Sequence, residues 1–148
     1  MNRTICFKER RYIEELRILT RATAVDCIID ERFDRIIYVV REGDMGLAIG
    51  KKGANIQKMQ KVLGRRVEMV EFARDPDAFV KNMFKPAEVL ALVPAGENRI
   101  DVTVRKGDLG IAIGKGGSMI EKARLLILRF LGSELGNVQM QEDEHAGA

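Results

Sequence analysis

Apolar positions along this chain recur with two periods, and the periods come in the same order twice. Between Glu9 and Ala22 the residues Ile13, Leu16 and Leu19 fall three apart, which predicts an amphipathic helix. Ala24 to Asp30 then alternates, with Val25, Cys27 and Ile29 on one face, as a half-buried strand does. A polar turn over Glu31 to Asp34 leads into Arg35 to Arg41, whose β-branched residues predict a second strand hairpinned to the first. Gly43-Asp44 supplies a break and an N-cap for a short helix over Met45 to Ile49. A glycine turn separates it from a helix over Ala54 to Leu63, with Ile56, Met59 and Leu63 on the inner face and Gly64 as its stop. Arg66 to Phe72 alternates again, as a third strand.

The second half repeats this order. Asp75-Pro76 caps and opens a helix that runs to about Phe84, because aspartate suits the cap and proline the first helical position. Ala87 to Val93 and Arg99 to Arg105 read as strands joined across Pro94-Ala95-Gly96-Glu97-Asn98. Ile100, Val102 and Val104 alternate with Asp101 and Thr103 and form the buried face; the equivalent face in the first half is Ile36, Tyr38 and Val40. A longer helix from Ser118 to about Leu131 ends at Gly132-Ser133, before a strand near Asn137 to Gln141. The pattern predicts an α+β protein of two α-β-β-α-α-β units, each a three-stranded sheet packed by helices. The expected domains are residues 1–73 and 74–142, followed by a disordered acidic tail at 143–148. The segment from Ala73 to Asp77 is too short for a flexible tether, so the units are expected to dock rigidly.

The duplication is visible in the letters themselves. Arg41-Glu42-Gly43-Asp44-Met45-Gly46-Leu47-Ala48-Ile49-Gly50-Lys51-Lys52-Gly53-Ala54-Asn55-Ile56 returns 64 residues later as Arg105-Lys106-Gly107-Asp108-Leu109-Gly110-Ile111-Ala112-Ile113-Gly114-Lys115-Gly116-Gly117-Ser118-Met119-Ile120, with ten of sixteen positions identical and every glycine of the first copy kept. At the centre of each copy lies a glycine pair, Gly50-Lys51-Lys52-Gly53 and Gly114-Lys115-Gly116-Gly117. Glycines there permit a tight turn and close approach of another chain. Amides at the start of the following helix, its dipole and the turn lysines together favour an anion, and phosphate is the expected one. Because the second turn has Gly116 where the first has Lys52, it brings less charge.

Composition narrows the chemistry. The 148 residues carry 25 basic and 22 acidic side chains, a net charge of +3 that says little by itself. Its distribution says more, since residues 1–72 hold 15 basic against 11 acidic groups. Cys6 and Cys27 form no ligand cluster, the single histidine is His145 in the polar tail, and Cys27 reads as a small buried apolar residue. No metal site and no cofactor is expected. Without a Ser/His/Asp set or a base beside either cysteine, nucleophilic catalysis is not expected, and the chain is read as a non-enzyme. Gly46 to Lys51 superficially resembles a nucleoside-triphosphate loop, but it is one residue short and Lys52 or Gly116 stands where the magnesium ligand belongs. Asp44 and Asp108 are read as helix caps, and Met45, Met59, Met69 and Met83 as core. Arg66 is kept as an accessory contact because it follows the first turn closely in sequence. No apolar run is long enough to cross a bilayer and no signal-peptide core follows Met1, so a soluble, cytoplasmic protein with no membrane partner is expected.

The segments Ile49 to Ile56 and Ile113 to Ile120 resemble the signature of KH domains, and the α-β-β-α-α-β order resembles their type II form. Two such units in tandem, spanning about residues 9 to 141, are similar to the archaeal NusA-like family of transcription factors. The resemblance implies binding of single-stranded RNA, with the turn holding the backbone of about four nucleotides and the bases lying in an apolar groove. Carried over by position, the clamp is Gly50, Lys51, Lys52, Gly53 and Gly114, Lys115, Gly116, Gly117. Ile49, Ile56, Ile113 and Ile120 would support the groove, and a purely core role fits each of them equally well. A role in transcription elongation or termination, with RNA polymerase as a further partner, is implied. A ribosome-associated or RNA-processing KH protein, or a KH-fold scaffold that contacts only protein, remain the alternatives at this point.

Overall fold

The structure, a computed structural model, describes residues 5–142; the expected acidic tail lies outside them. The chain divides between Arg74 and Asp75 into two compact units. The first runs through helix α1 (Phe7–Thr20), strands β1 (Ala24–Asp30) and β2 (Arg35–Val40), helices α2 (Met45–Ile49) and α3 (Ala54–Leu63) and strand β3 (Arg66–Glu71). The second repeats the order as α4 (Pro76–Phe84), β4 (Val89–Pro94), β5 (Arg99–Val104), α5 (Leu109–Ile113), α6 (Ser118–Leu131) and β6 (Glu134–Met140). Each unit is thus α-β-β-α-α-β, as the periodicity predicts.

Each sheet is mixed. The strand orders are β1-β2-β3 and β4-β5-β6. β1 and β2 pair antiparallel as a hairpin, whereas β2 and β3 pair parallel in an unbroken register from Arg35↔Arg66 to Val40↔Glu71. Parallel neighbours need a crossover connection, and α2, the glycine turn and α3 supply it. The turn is therefore built into the link between two paired strands.

In the first unit Leu16, Ala22, Ala24, Cys27, Ile36, Tyr38, Val40, Ala48, Met59 and Val67 form one buried cluster, with Ile56, Leu63, Met45 and Met69 packed against it. Cys27 is a buried free thiol, as expected. The face Ile36, Tyr38 and Val40 is fully buried, and the Tyr38 hydroxyl donates to the Tyr12 carbonyl at 2.8 Å. Burial pushes the Tyr38 phenol far above its ordinary pKa. Strand β1 departs from the expected alternation: the register shifts between Ala24 and Asp26, so Ala24 occupies the core position and Val25 is displaced. One extra residue in a strand reverses the phase of everything before it, which a strict period of two cannot anticipate.

In the second unit Val102 and Val104 are fully buried and Ile100 partly so. α4 meets α6 through the edge-to-face rings of Phe79 and Phe130, with centroids 5.1 Å apart. Asp75 caps α4 by accepting from the Ala78 amide at 3.1 Å, with Pro76 at the first helical position. β6 begins three residues earlier than the sequence pattern suggests, at Glu134. Its third residue, Gly136, would place a Cβ 2.1 Å from Asp101 Oδ1, and the Asn137 amide donates to that oxygen at 2.8 Å. Glycine in a strand here marks a close approach by a neighbouring side chain.

Among the described residues no helix is long and apolar enough to cross a membrane, and no group of three or more His, Cys, Asp or Glu could hold a metal ion.

Candidate nucleic-acid interface

The two glycine turns have nearly the same backbone. Gly50 sits at φ 77°, ψ 169° and Gly114 at φ 78°, ψ 166°, each ending a five-residue helix by donating to the carbonyl four residues back. A single 3₁₀ turn follows, in which the Gly53 amide donates to Gly50 O and the Gly117 amide to Gly114 O, both at 3.1 Å. Gly53 and Gly117 then adopt left-handed conformations ahead of α3 and α6.

This geometry amends the expected source of anion affinity. The amides of Gly53 and Ala54 are spent inside the first turn, on Gly50 O and Lys51 O, so the start of α3 is less open than a bare helix N-terminus. The close approach that Gly50 permits is by the chain's own α3: a Cβ there would lie 2.8 Å from the Asn55 amide nitrogen and 2.7 Å from Asn55 Cγ. At Gly114 it would lie 2.6 Å from the Met119 amide nitrogen. Asn55 strengthens the junction in the first unit, donating from Nδ2 to the Leu47 carbonyl at 2.7 Å. Met119, at the equivalent place, has no such donor.

Positive charge at the turns comes from the side chains. Lys51, Lys52 and Lys115 are exposed and make no ion pair with any described residue. Lys52 is held in the left-handed region at φ 56°, ψ 28°, where its counterpart Gly116 sits at φ 64° without penalty. For an L-residue that conformation costs on the order of 1 kcal/mol. The first turn thus keeps its second lysine at a backbone cost that the second turn, with glycine there, avoids.

Beside each turn lies apolar surface. Ala48 and Ala112 face inward and are fully buried, so Leu47 and Ile111 face outward, 50% and 45% exposed. Ile113 is exposed as well, Ile49 and Ile120 are half-buried, and Ile56 is packed against the core of its unit. Leu47 and Ile111 escape a reading that tracks identity between the copies, because they differ. The inward alanine next to each was the available signal. Arg66 is not brought to the turn: it opens β3 at the other end of α3, a helix length of about 15 Å away, beside Glu68 at 3.4 Å.

The repeated aspartates hold the turns from behind. Asp44 and Asp108 occupy the N-cap positions of α2 and α5, yet neither side chain caps its helix. Asp44 instead accepts from the Thr23 amide at 2.9 Å and from Arg41 at 3.2 Å; Asp108 accepts from the Glu88 amide at 2.8 Å and from Arg105 at 3.0 Å. Each carboxylate ties the entrance of the first strand to the loop leading into the site. The Thr23 amide and then Arg41 hold the Asp44 carboxyl below the usual carboxylate range, and Arg105 and then the Glu88 amide do the same for Asp108. Because the folded pKa is depressed, this stabilisation is complete above the unfolded value of about 4 and disappears as pH falls through the folded one. An Asp44→Asn, Asp108→Asn variant should be less stable at neutral pH and lose stability less steeply below about pH 4. Urea unfolding across pH reads both; an acid limb as steep as that of the parent would rule this out.

Comparison with known proteins agrees with this geometry. The KH domain family profile matches residues 9–74 and again 76–141. A protein of Halobacterium salinarum named "Probable transcription termination protein NusA" is 42% identical over 123 residues, covering 81% of this chain and 86% of that protein. A protein of the same name from Halococcus morrhuae is 38% identical over 122 residues, covering 80% and 86%. The crystal structure of APE1850 superposes with a TM-score of 0.81 at 35% identity, over 93% of this chain and 100% of that one. With the profile matched once in each half, over the α-β-β-α-α-β units and their glycine turns, the chain belongs to the KH domain family.

Proposed function

We propose that this protein binds single-stranded RNA through both glycine turns and acts as a NusA-like factor in transcription termination and elongation. The observation that carries the RNA reading is the paired arrangement itself. In each unit a glycine-flanked turn with unpaired lysine stands beside an outward-facing aliphatic residue, Leu47 or Ile111. Phosphates would meet Lys51, Lys52 and Lys115, while bases would lie against Leu47, Ile49 and Ile56 in one unit and Ile111, Ile113 and Ile120 in the other. Aliphatic walls suit a chain in which only 5% of residues are aromatic, since stacking platforms need rings. The names of the relatives support the transcriptional role, and RNA polymerase is the partner it calls for.

Binding of short single-stranded RNA measured across a salt series tests the reading. Each phosphate contact on a single strand contributes about 0.7 to the slope of log K against log salt. Changing Lys51 and Lys52 together to aspartate should remove about 1.4 from that slope and weaken binding about 25-fold at 0.1 M salt relative to a 1 M reference; Lys115→Asp should remove about half as much. Lys52→Gly relieves the left-handed backbone, so it should bind more weakly with no loss of stability. Unchanged affinity in all three folded variants would overturn the RNA assignment. Co-purification with transcribing polymerase tests the second partner separately.

A further inference from the structure

The second unit also has a distinctive surface away from its glycine turn. β4 lies at the edge of its sheet and reads Val89-Leu90-Ala91-Leu92-Val93-Pro94, six residues without a charge. Beyond Val89 most of it is exposed, Leu90 by 38% and Val93 by 45%. Soluble proteins usually protect such an edge with charged side chains, because its free backbone groups and apolar side chains accept another strand. The equivalent edge of the first unit, β1, carries Asp26 and Asp30 and keeps Ala24 to Ile28 mostly buried.

Next to this strand is a pocket of about 130 Å³ lined by Pro76, Val80, Leu92, Pro94, Ile100 and Leu131, with the Asp77 carboxylate the single charge among the lining groups. Two of its walls are prolines, one opening α4 and one closing β4, so the shape is set before anything binds. Asp77 is exposed and makes no ion pair with any described residue. Glu97, in the loop that follows Pro94, is also exposed, while the nearby cation Arg99 is engaged by Asp101 at 3.6 Å. What this end of the unit offers is an apolar hole, an unpaired strand edge and negative charge.

We propose that β4 and this pocket form a protein-docking site for an extended segment that pairs with the β4 edge, places one aliphatic side chain in the pocket and sets a lysine or arginine against Asp77. Strand addition supplies affinity through the backbone and the pocket supplies selection. The pocket includes Leu131 at the C-terminal end of α6, and the second glycine turn abuts its N-terminal end; the fourteen residues between them span about 21 Å. A bound segment there leaves the turn free for RNA.

The probe is a pair of acetylated and amidated eight-residue peptides of alternating sequence, one with leucine, valine and lysine, the other with glutamate in place of lysine. Titrated into isotope-labelled full chain, the basic peptide should shift amide resonances of residues 76–80 and 89–94 and leave 114–117 unmoved. Asp77→Lys should weaken it about tenfold, and Ala91→Lys, on an exposed strand position, should weaken it at least as much. Both variants should bind single-stranded RNA as the parent does, which separates failure here from failure of the RNA reading. Equal binding of the acidic peptide, shifts centred on a glycine turn, or shifts that follow protein concentration and mark self-association would each overturn the proposal.

Discussion

Gly50→Ala is expected to destabilise the first unit by about 3 kcal/mol or more, whereas Gly53→Ala, three residues on, should cost only about 1 kcal/mol. Both glycines have a positive φ of 77°. They differ in ψ and in what surrounds them. With ψ at 169°, Gly50 lies in a region that is essentially closed to residues with a Cβ, and its added methyl would press on the backbone and side chain of Asn55 at 2.7 to 2.9 Å. Gly53, at ψ 15°, is in the ordinary left-handed well, and its nearest neighbour would be Ile56 Cγ2 at 3.7 Å. The second unit repeats the contrast: Gly114 faces the Met119 amide nitrogen at 2.6 Å, while nothing lies within 4 Å of a Cβ on Gly117. Relief of the Gly50 clash requires α3 to move away from α2, which would open the turn and reduce RNA affinity even under conditions where the variant stays folded. Denaturant midpoints for the four alanine variants, with RNA titration of each folded one, check this. Equal losses at all four positions would show that the first glycine is not a steric requirement.

The order of elements was legible because each depends on local chemistry. α3 and α6 start and stop where the pattern places them, since Gly64 and Gly132 end them in the left-handed conformation at φ 67°. The cap at Asp75 was likewise local, being a contact across three residues. What stayed hidden involves residues far apart in the chain. The Asp44 carboxylate looks like a cap in sequence, but besides the neighbouring Arg41 it accepts from the Thr23 amide, twenty-one residues away. No periodicity reports that contact.

The glycine turns were legible as turns and only half legible as a site. Their duplication and their lysines mark them out, and the structure keeps both lysine-bearing loops exposed. Which partner each glycine accommodates depends on the path of α3 and α6, so the first glycine reads from sequence as an opening for a ligand when it is an opening for the protein's own helix. Arg66 shows the converse. It is thirteen residues from Gly53, but a rigid helix turns that separation into distance. The difference between Lys52 and Gly116 was visible in sequence as a difference of charge; the backbone adds that the first unit bears strain to keep its second lysine. The two turns therefore differ both in charge and in backbone cost at this one position.

Arg35→Met should cost about 3 to 5 kcal/mol, enough to unfold much of the first unit given a typical total of about 5 to 15 kcal/mol. Arg35 is fully buried at the start of β2, where it donates to Asp30 at 2.8 Å and to Glu68, and its guanidinium lies 5.0 Å from the centre of the Phe33 ring. It stands at the first rung of the parallel pairing, Arg35↔Arg66, whose last rung at Val40 leads towards the glycine turn. Methionine fills nearly the same space, so the loss is one of charge, not of volume. It strands the Asp30 carboxylate, only 3% exposed, without its cation. Asp30 also accepts from the Arg32 amide at 3.1 Å through its other oxygen, and asparagine can keep that bond. The double variant Arg35→Met, Asp30→Asn should therefore recover more than about 1 kcal/mol of what the single change loses, a coupling that a double-mutant cycle of urea unfolding measures directly. Additive losses would mean that the ion pair is incidental and that the sheet is held by its apolar face alone.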